Sequence, residues 1–155
     1  MAKILIVEDN ALNIKLFCDL LAAHGHQPEA VTDSRNALDA AREFSPDLVI
    51  TDIQLPHVSG LELIHQIRGD EKLAEIPIMA VTAYSATGDE ERIRAAGAQA
   101  YVSKPISVMK FAQTVDELLE DASDRELQKS GVEDLANEGG EAPGLGEAGG
   151  EGDPA

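Results

Sequence analysis

Short, unbroken apolar runs punctuate the first hundred residues: KILIV at Lys3–Val7, DLVIT at Asp47–Thr51, IPIMAV at Ile76–Val81 and AYVS at Ala100–Ser103. None alternates polar with apolar positions, so each is expected to be a strand covered on both faces. Helical stretches fall between them, at Ala11–Ala23, Ser34–Phe44, Gly60–Arg68, Asp89–Ala96 and Ser107 to about Asp121. The last is the most regular. Val108, Phe111, Ala112, Val115, Leu118 and Leu119 recur at i, i+3, i+4, i+7, i+10 and i+11, which places them on one face of a helix. A weaker strand is expected at Gln27–Val31, after the stop signal of Gly25 and before a cap at Asp33 or Ser34.

Strand and helix thus alternate five times. That order favours a doubly wound α/β domain, a parallel sheet with helices on both faces reached through right-handed crossovers. The flavodoxin-like strand order 2-1-3-4-5 is one common solution and is the one expected here; it places functional groups at the carboxyl ends of the strands.

Those ends carry polar residues in corresponding positions. Strand one runs into Glu8 and Asp9, strand three into Asp52, strand four into Thr82, and strand five is followed by Lys104 and Pro105. Asp52 is the least expected of them, because it closes the apolar run of DLVITDIQLP just before Pro56 ends the strand. In a parallel sheet three carboxylates would converge with a lysine and a hydroxyl. Without a cation such a cluster holds a proton above its normal pKa, whereas a hard divalent ion keeps the acids ionised. Magnesium suits oxygen ligands of this kind and leaves positions for phosphate oxygens. Taken alone, Glu8 and Asp9 are equally readable as acids capping the next helix.

Composition narrows the function further. With 155 residues and 43% hydrophobic residues the chain can hold one domain with a core. A net charge of −17 argues against binding nucleic acid phosphates. The acid is uneven: residues 121–155 hold ten acidic and two basic side chains, a balance of −8 that leaves −9 on residues 1–120. The end of that segment, NEGGEAPGLGEAGGEGDPA, offers a single leucine against many glycines and acids, so residues 122–155 are expected to form a disordered acidic tail after a domain at 1–121. A solvating extension is its plain role and a partner-binding segment the other. Cys18, the only cysteine, excludes an internal disulfide and a cysteine-rich zinc site. No run approaches the roughly 18 apolar residues of a membrane span, and MAKILIVEDN is too short in apolar length for a secretory signal, so a cytoplasmic protein is expected.

Together VEDN, TDIQLP, VTAYS and YVSKP, in this order and spacing over residues 3 to 120, resemble the receiver domain of bacterial two-component response regulators. Each piece alone is weak; the set is specific. ILIVEDNALNIKLFCDLL and GDEERIRAAGAQAYVSKPISV are further similar to the single-domain cell-division regulators of alphaproteobacteria. The resemblance implies that Asp52 accepts a phosphoryl group from a kinase phosphohistidine, forming an acyl phosphate. It implies magnesium ligation by Asp9 and Asp52, by Glu8 mainly through water, and by the main-chain carbonyl of Gln54. Lys104 would neutralise a phosphoryl oxygen, Thr82 would move its hydroxyl toward the phosphoryl group, Tyr101 would turn inward as the other half of the switch, and Lys104–Pro105 would be cis. Sensor histidine kinases, phosphatases or a phosphotransfer protein would dock near helix one, around Asn13–Leu20, and a downstream kinase or regulator would read residues 89–119, with recruitment to a cell pole. No output domain is expected after helix five. Service as a phosphate shuttle or sink in another phosphorelay is the alternative.

Other readings fit less well. A haloacid-dehalogenase-type phosphatase needs an acid two positions after its nucleophile, where Gln54 stands; EDNALN is not a flavin phosphate cradle, and no P-loop is present. Tyr101 is also readable as an ordinary core aromatic, and His24, His26, His57 and His65 as surface residues. The chain departs from the family pattern in its tail and in AYSATGDEE, where Ala86 and Thr87 are expected to alter loop mobility.

Overall fold

The computed structural model describes residues 2–83 and 89–137, with side chains to residue 122. It divides into two units, Met1–Leu119 and Glu120–Ala155, and the first holds the sheet. Five strands, β1 (Lys3–Val7), β2 (Gln27–Val31), β3 (Leu48–Asp52), β4 (Ile78–Thr82) and β5 (Ala100–Ser103), pair in parallel in the order β2-β1-β3-β4-β5. The helices between and after them are α1 (Ala11–Ala23), α2 (Ala37–Phe44), α3 (Gly60–Arg68), α4 (Asp89–Ala96) and α5 (Val108–Asn137). This is the doubly wound arrangement that the sequence pattern predicts, including the weak edge strand β2.

The continuous apolar runs are explained by the pleat. Neighbouring residues of a strand point to opposite faces, so a strand buried on both sides must be apolar throughout. Leu5, Val7, Val49, Ile78 and Ala80 face one core with Leu63, Ile64, Ile67 and Ile93; Ile4, Ile6, Leu48, Ile50, Met79 and Val81 face the other with Phe17, Leu21, Phe111 and Val115. Phe17 of α1 stacks on Phe111 of α5 with ring centroids 5.1 Å apart, a contact of the kind worth about 0.5–1.5 kcal/mol beyond its buried area. Cys18 packs partly buried beside this second core.

Several boundaries differ from expectation. Helix two does not begin at Ser34: Ser34–Asn36 form a 3-10 turn, capped by the Asp33 side chain on the Arg35 amide, and α2 follows from Ala37. Strand four begins at Ile78 rather than Ile76, because Pro77 has no amide to donate and the Ile76 amide turns back to the Leu73 carbonyl at 3.1 Å. Strand three includes Asp52 itself. Finally, α5 continues past Asp121 to Asn137, so the expected tail is corrected over residues 122–137, which are helical. That stretch contains one glycine, no proline and many good helix formers. The expected disorder of 138–155 and the expected loop effect of Ala86 and Thr87 lie outside the described residues. Among the described residues, no helix is long and apolar enough to cross a membrane.

Candidate functional site

The parallel register brings the strand ends level. Asp52 pairs with Val81 and Thr82 with Ser103, while Glu8 and Asp9 leave β1 beside β3. Oxygen atoms of Glu8, Asp9 and Asp52 all lie within 4.8 Å of one another. Glu8 and Asp52 are buried, at 1% and 6% exposure, and Asp9 is exposed. The two buried acids share one cation: Lys104 Nζ lies 2.9 Å from Asp52 Oδ2 and 3.2 Å from Glu8 Oε1. The Lys104 amide donates to the Thr82 carbonyl at 2.8 Å, which ties the end of β5 to the end of β4, and the Lys104–Pro105 peptide is cis.

The other oxygen of each buried acid accepts from a nearby amide. Asn10 N–H donates to Glu8 Oε2 at 3.1 Å, and Gln54 N–H donates to Asp52 Oδ1 at 3.1 Å. Burial, and then the charge of Asp52, push the Glu8 carboxyl above its ordinary range against the opposing pull of the Asn10 amide and Lys104. Burial alone would lower the Lys104 pKa, but the hydrogen bond and charge of Asp52, followed by those of Glu8, outweigh it and the net shift is upward. Three carboxylates against one ammonium leave the cluster short of positive charge. An all-oxygen donor set with that deficit, open to solvent through Asp9, fits a hard divalent cation.

The segment after Asp52 is held from several sides. The Gly60 amide closes it onto the Ile53 carbonyl at 2.9 Å, and a Cβ at Gly60 would stand 2.6 Å from Ile53 Cα and closer still to the Asp52 carbonyl oxygen. Only glycine lets α3 start this close to the end of β3. Ser34, from the turn after β2, donates to the Pro56 carbonyl at 2.8 Å and accepts from the Val58 amide at 3.1 Å. The sequence alone did not single out Ser34 for this role. His57, between those two residues, has φ 70.

Thr82 is buried at the end of β4, beside a cleft of about 280 Å³ whose walls include Gln54, Asp89 and Arg92. Asp89 and Arg92 form an ion pair. Tyr101 lies outside the acid cluster, half-buried against the first core; burial, and then the charges of Asp89 and Glu90, raise its pKa, so the phenol keeps its proton. His24, His57 and His65 are exposed, but His26 corrects the surface expectation: its side chain is 13% exposed, accepts the Ala2 N–H at 3.3 Å and stands 3.9 Å from Asp116. Large apolar side chains exposed to solvent are Leu12 and Leu16 on α1 and Val108 and Met109 at the start of α5.

Comparison with known proteins places this arrangement. The profile of the response regulator receiver domain matches residues 4–116. The polar-differentiation response regulator DivK of Brucella ovis is 53% identical over 119 residues, covering 77% of this chain and 97% of that protein. Among solved structures, the chemotaxis protein CheY4 of Vibrio cholerae superposes with a TM-score of 0.72 at 25% identity over 76% of this chain and 98% of its own. The receiver domain of a Pseudomonas aeruginosa sensor histidine kinase, solved with a magnesium ion coordinated in its active site cleft, gives 0.71 at 28% identity over 77% and 98%.

Proposed function

The chain belongs to the response regulator receiver domain family, and from that premise we propose that Asp52 accepts a phosphoryl group from a histidine kinase or phosphotransfer protein in a magnesium-dependent reaction. The observation that carries this reading is the sharing of one ammonium, Lys104, by two buried carboxylates next to a third, exposed one. Asp9 and Asp52 would hold the ion directly, Glu8 mainly through water, and the Gln54 carbonyl would supply a further oxygen. When bound, magnesium offsets the acids' charge and that of the incoming phosphoryl oxygens.

The chain's own groups do the rest. An Asp52 oxygen attacks phosphorus as the bond from phosphorus to the donor's imidazole nitrogen breaks, and the donor imidazole leaves with the bonding pair. Lys104 is already within hydrogen-bond reach of Asp52 and would remain as a point charge for a phosphoryl oxygen. The Thr82 hydroxyl would turn toward the new oxygens and Tyr101 would follow inward. Since Tyr101 stands in the field of Asp89 and Glu90, its movement would be felt at the start of α4, and a downstream kinase or regulator would read residues 89–119. The protein is a signalling protein whose chemistry, in this reading, is limited to its own phosphorylation and dephosphorylation. Similarity to DivK supports a role in cell-division or polarity control, with the protein cytoplasmic and recruited to a cell pole.

The exposed apolar residues Leu12 and Leu16 support α1 as the docking face for the phosphodonor. Phosphotransfer from purified autophosphorylated histidine kinases tests the reading. Leu16→Glu should slow transfer from the kinase at least tenfold while leaving phosphorylation by a small phosphodonor unchanged; equal transfer to both proteins would remove α1 from the docking surface. Steady hydrolysis of phosphate esters without any kinase would contradict the signalling role.

A further inference from the structure

Ser34 lies 18 residues before Asp52 on a different loop, yet it reaches into the site's supporting structure. Its side chain is 3% exposed, and its hydroxyl is used in both directions, donating to the Pro56 carbonyl at 2.8 Å and accepting from the Val58 amide at 3.1 Å. The two partners flank His57, whose φ of 70 is a left-handed conformation that a residue with a Cβ adopts at a cost. Free of constraint, a segment with such a residue would relax toward ordinary backbone angles. The serine itself is fixed by its turn: the Asp33 side chain accepts from the Arg35 amide at 3.0 Å and is held by the Arg35 guanidinium at 3.0 and 2.8 Å. A rigid turn after β2 therefore grips the loop after β3 through one oxygen.

The grip falls two residues from Gln54, whose amide already binds Asp52 Oδ1. We propose that Ser34 is a positioning residue for the magnesium site: its buried hydroxyl locks the β3–α3 loop across His57 and so holds the Gln54 carbonyl and Asp52 in the arrangement that a metal ion requires. The inference rests on the metal-site reading given above. A side chain that only filled space at this position would need no hydroxyl, whereas here both its donor and its acceptor capacity are spent on one three-residue segment.

The test compares native protein, Ser34→Ala and the double variant Ser34→Ala/His57→Asn. Asparagine tolerates the left-handed region better than histidine does, so it should hold the loop shape without the clamp. Three readouts are taken on the full chain: the magnesium dissociation constant by calorimetry, hydrogen exchange of the Val58 amide in metal-free protein, and the urea midpoint. Ser34→Ala should weaken magnesium binding by about threefold to tenfold, the range expected for one or two lost hydrogen bonds, and should speed Val58 exchange. The double variant should recover at least half of the lost affinity. A lower urea midpoint in Ser34→Ala with magnesium affinity within twofold of native would overturn the proposal and leave Ser34 a purely structural residue. Failure of the native protein to bind magnesium would instead defeat the metal-site reading itself.

Discussion

At the amino ends of β4 and β5, Arg68 donates to the carbonyls of Gly97, Ala74 and Ile76 and to the Gln99 side chain, with distances from 2.7 to 3.0 Å. Gln99 passes the connection on by accepting the Ile78 amide at 2.8 Å. At the opposite end of the same sheet Lys104 is divided between Glu8 and Asp52, and Asp9 adds a third acid. Both ends hold a partly buried cation, but the hydrogen bonds described above direct Arg68 to carbonyl oxygens of two loops, whereas Lys104 faces a cluster of three acids. The contrast separates two jobs. The Arg68 end is a staple for two loops, whereas the Lys104 end, in the function proposed above, would gain an ion and a phosphoryl group that offset its excess of acid.

That difference can be broken from either side. The largest effect on stability is expected from Arg68→Ala, which strips partners from several carbonyls at once: roughly 3 kcal/mol in urea denaturation, independent of magnesium. Arg68→Lys should recover little of it, because an ammonium lacks the guanidinium's fork. Magnesium should act only at the other end. At one hundred times its dissociation constant it should stabilise the native protein by about 2.7 kcal/mol, and Asp52→Asn should lose most of that gain while Arg68→Ala keeps it. An equal response in both variants would erase the proposed division.

Gly60→Ala is expected to cost about 2 kcal/mol, since the added methyl meets backbone at the end of β3 and must push it aside. It should also slow phosphorylation, because the displaced atoms include the Asp52 carbonyl. The smallest effect is a pH dependence. A carboxyl such as Glu8, whose folded pKa lies above its unfolded value, contributes stability that is fully present below the unfolded pKa and is lost as pH rises through the folded one. Metal-free protein should therefore lose stability through that window, and magnesium should flatten the slope; Glu8→Gln should flatten it without metal.

The two ends were also unequally legible. Glu8, Asp9, Asp52, Thr82 and Lys104 are legible in the sequence because each stands at or just beyond the end of an apolar run, and a parallel doubly wound sheet brings such strand ends to one side. The sheet order and the five helices followed from the same pattern. Arg68 and Ser34 left no comparable mark. Their partners are main-chain carbonyls and amides, which every residue carries, so nothing in residue type or spacing points to them until the loops are placed. The late start of β4, by contrast, does have a mark in the sequence, since Pro77 has no amide to donate to the ladder. The continuation of α5 to Asn137 is marked by helix propensity and not by an apolar face.

The most direct test of the central claim is the intact mass of the protein after incubation with a small phosphodonor, with and without magnesium, followed by reductive trapping to map the adduct. The account predicts one base-labile phosphoryl group on Asp52 that requires the divalent ion and is absent from Asp52→Asn. An adduct on another residue, or one that forms equally well in Asp52→Asn, would contradict it.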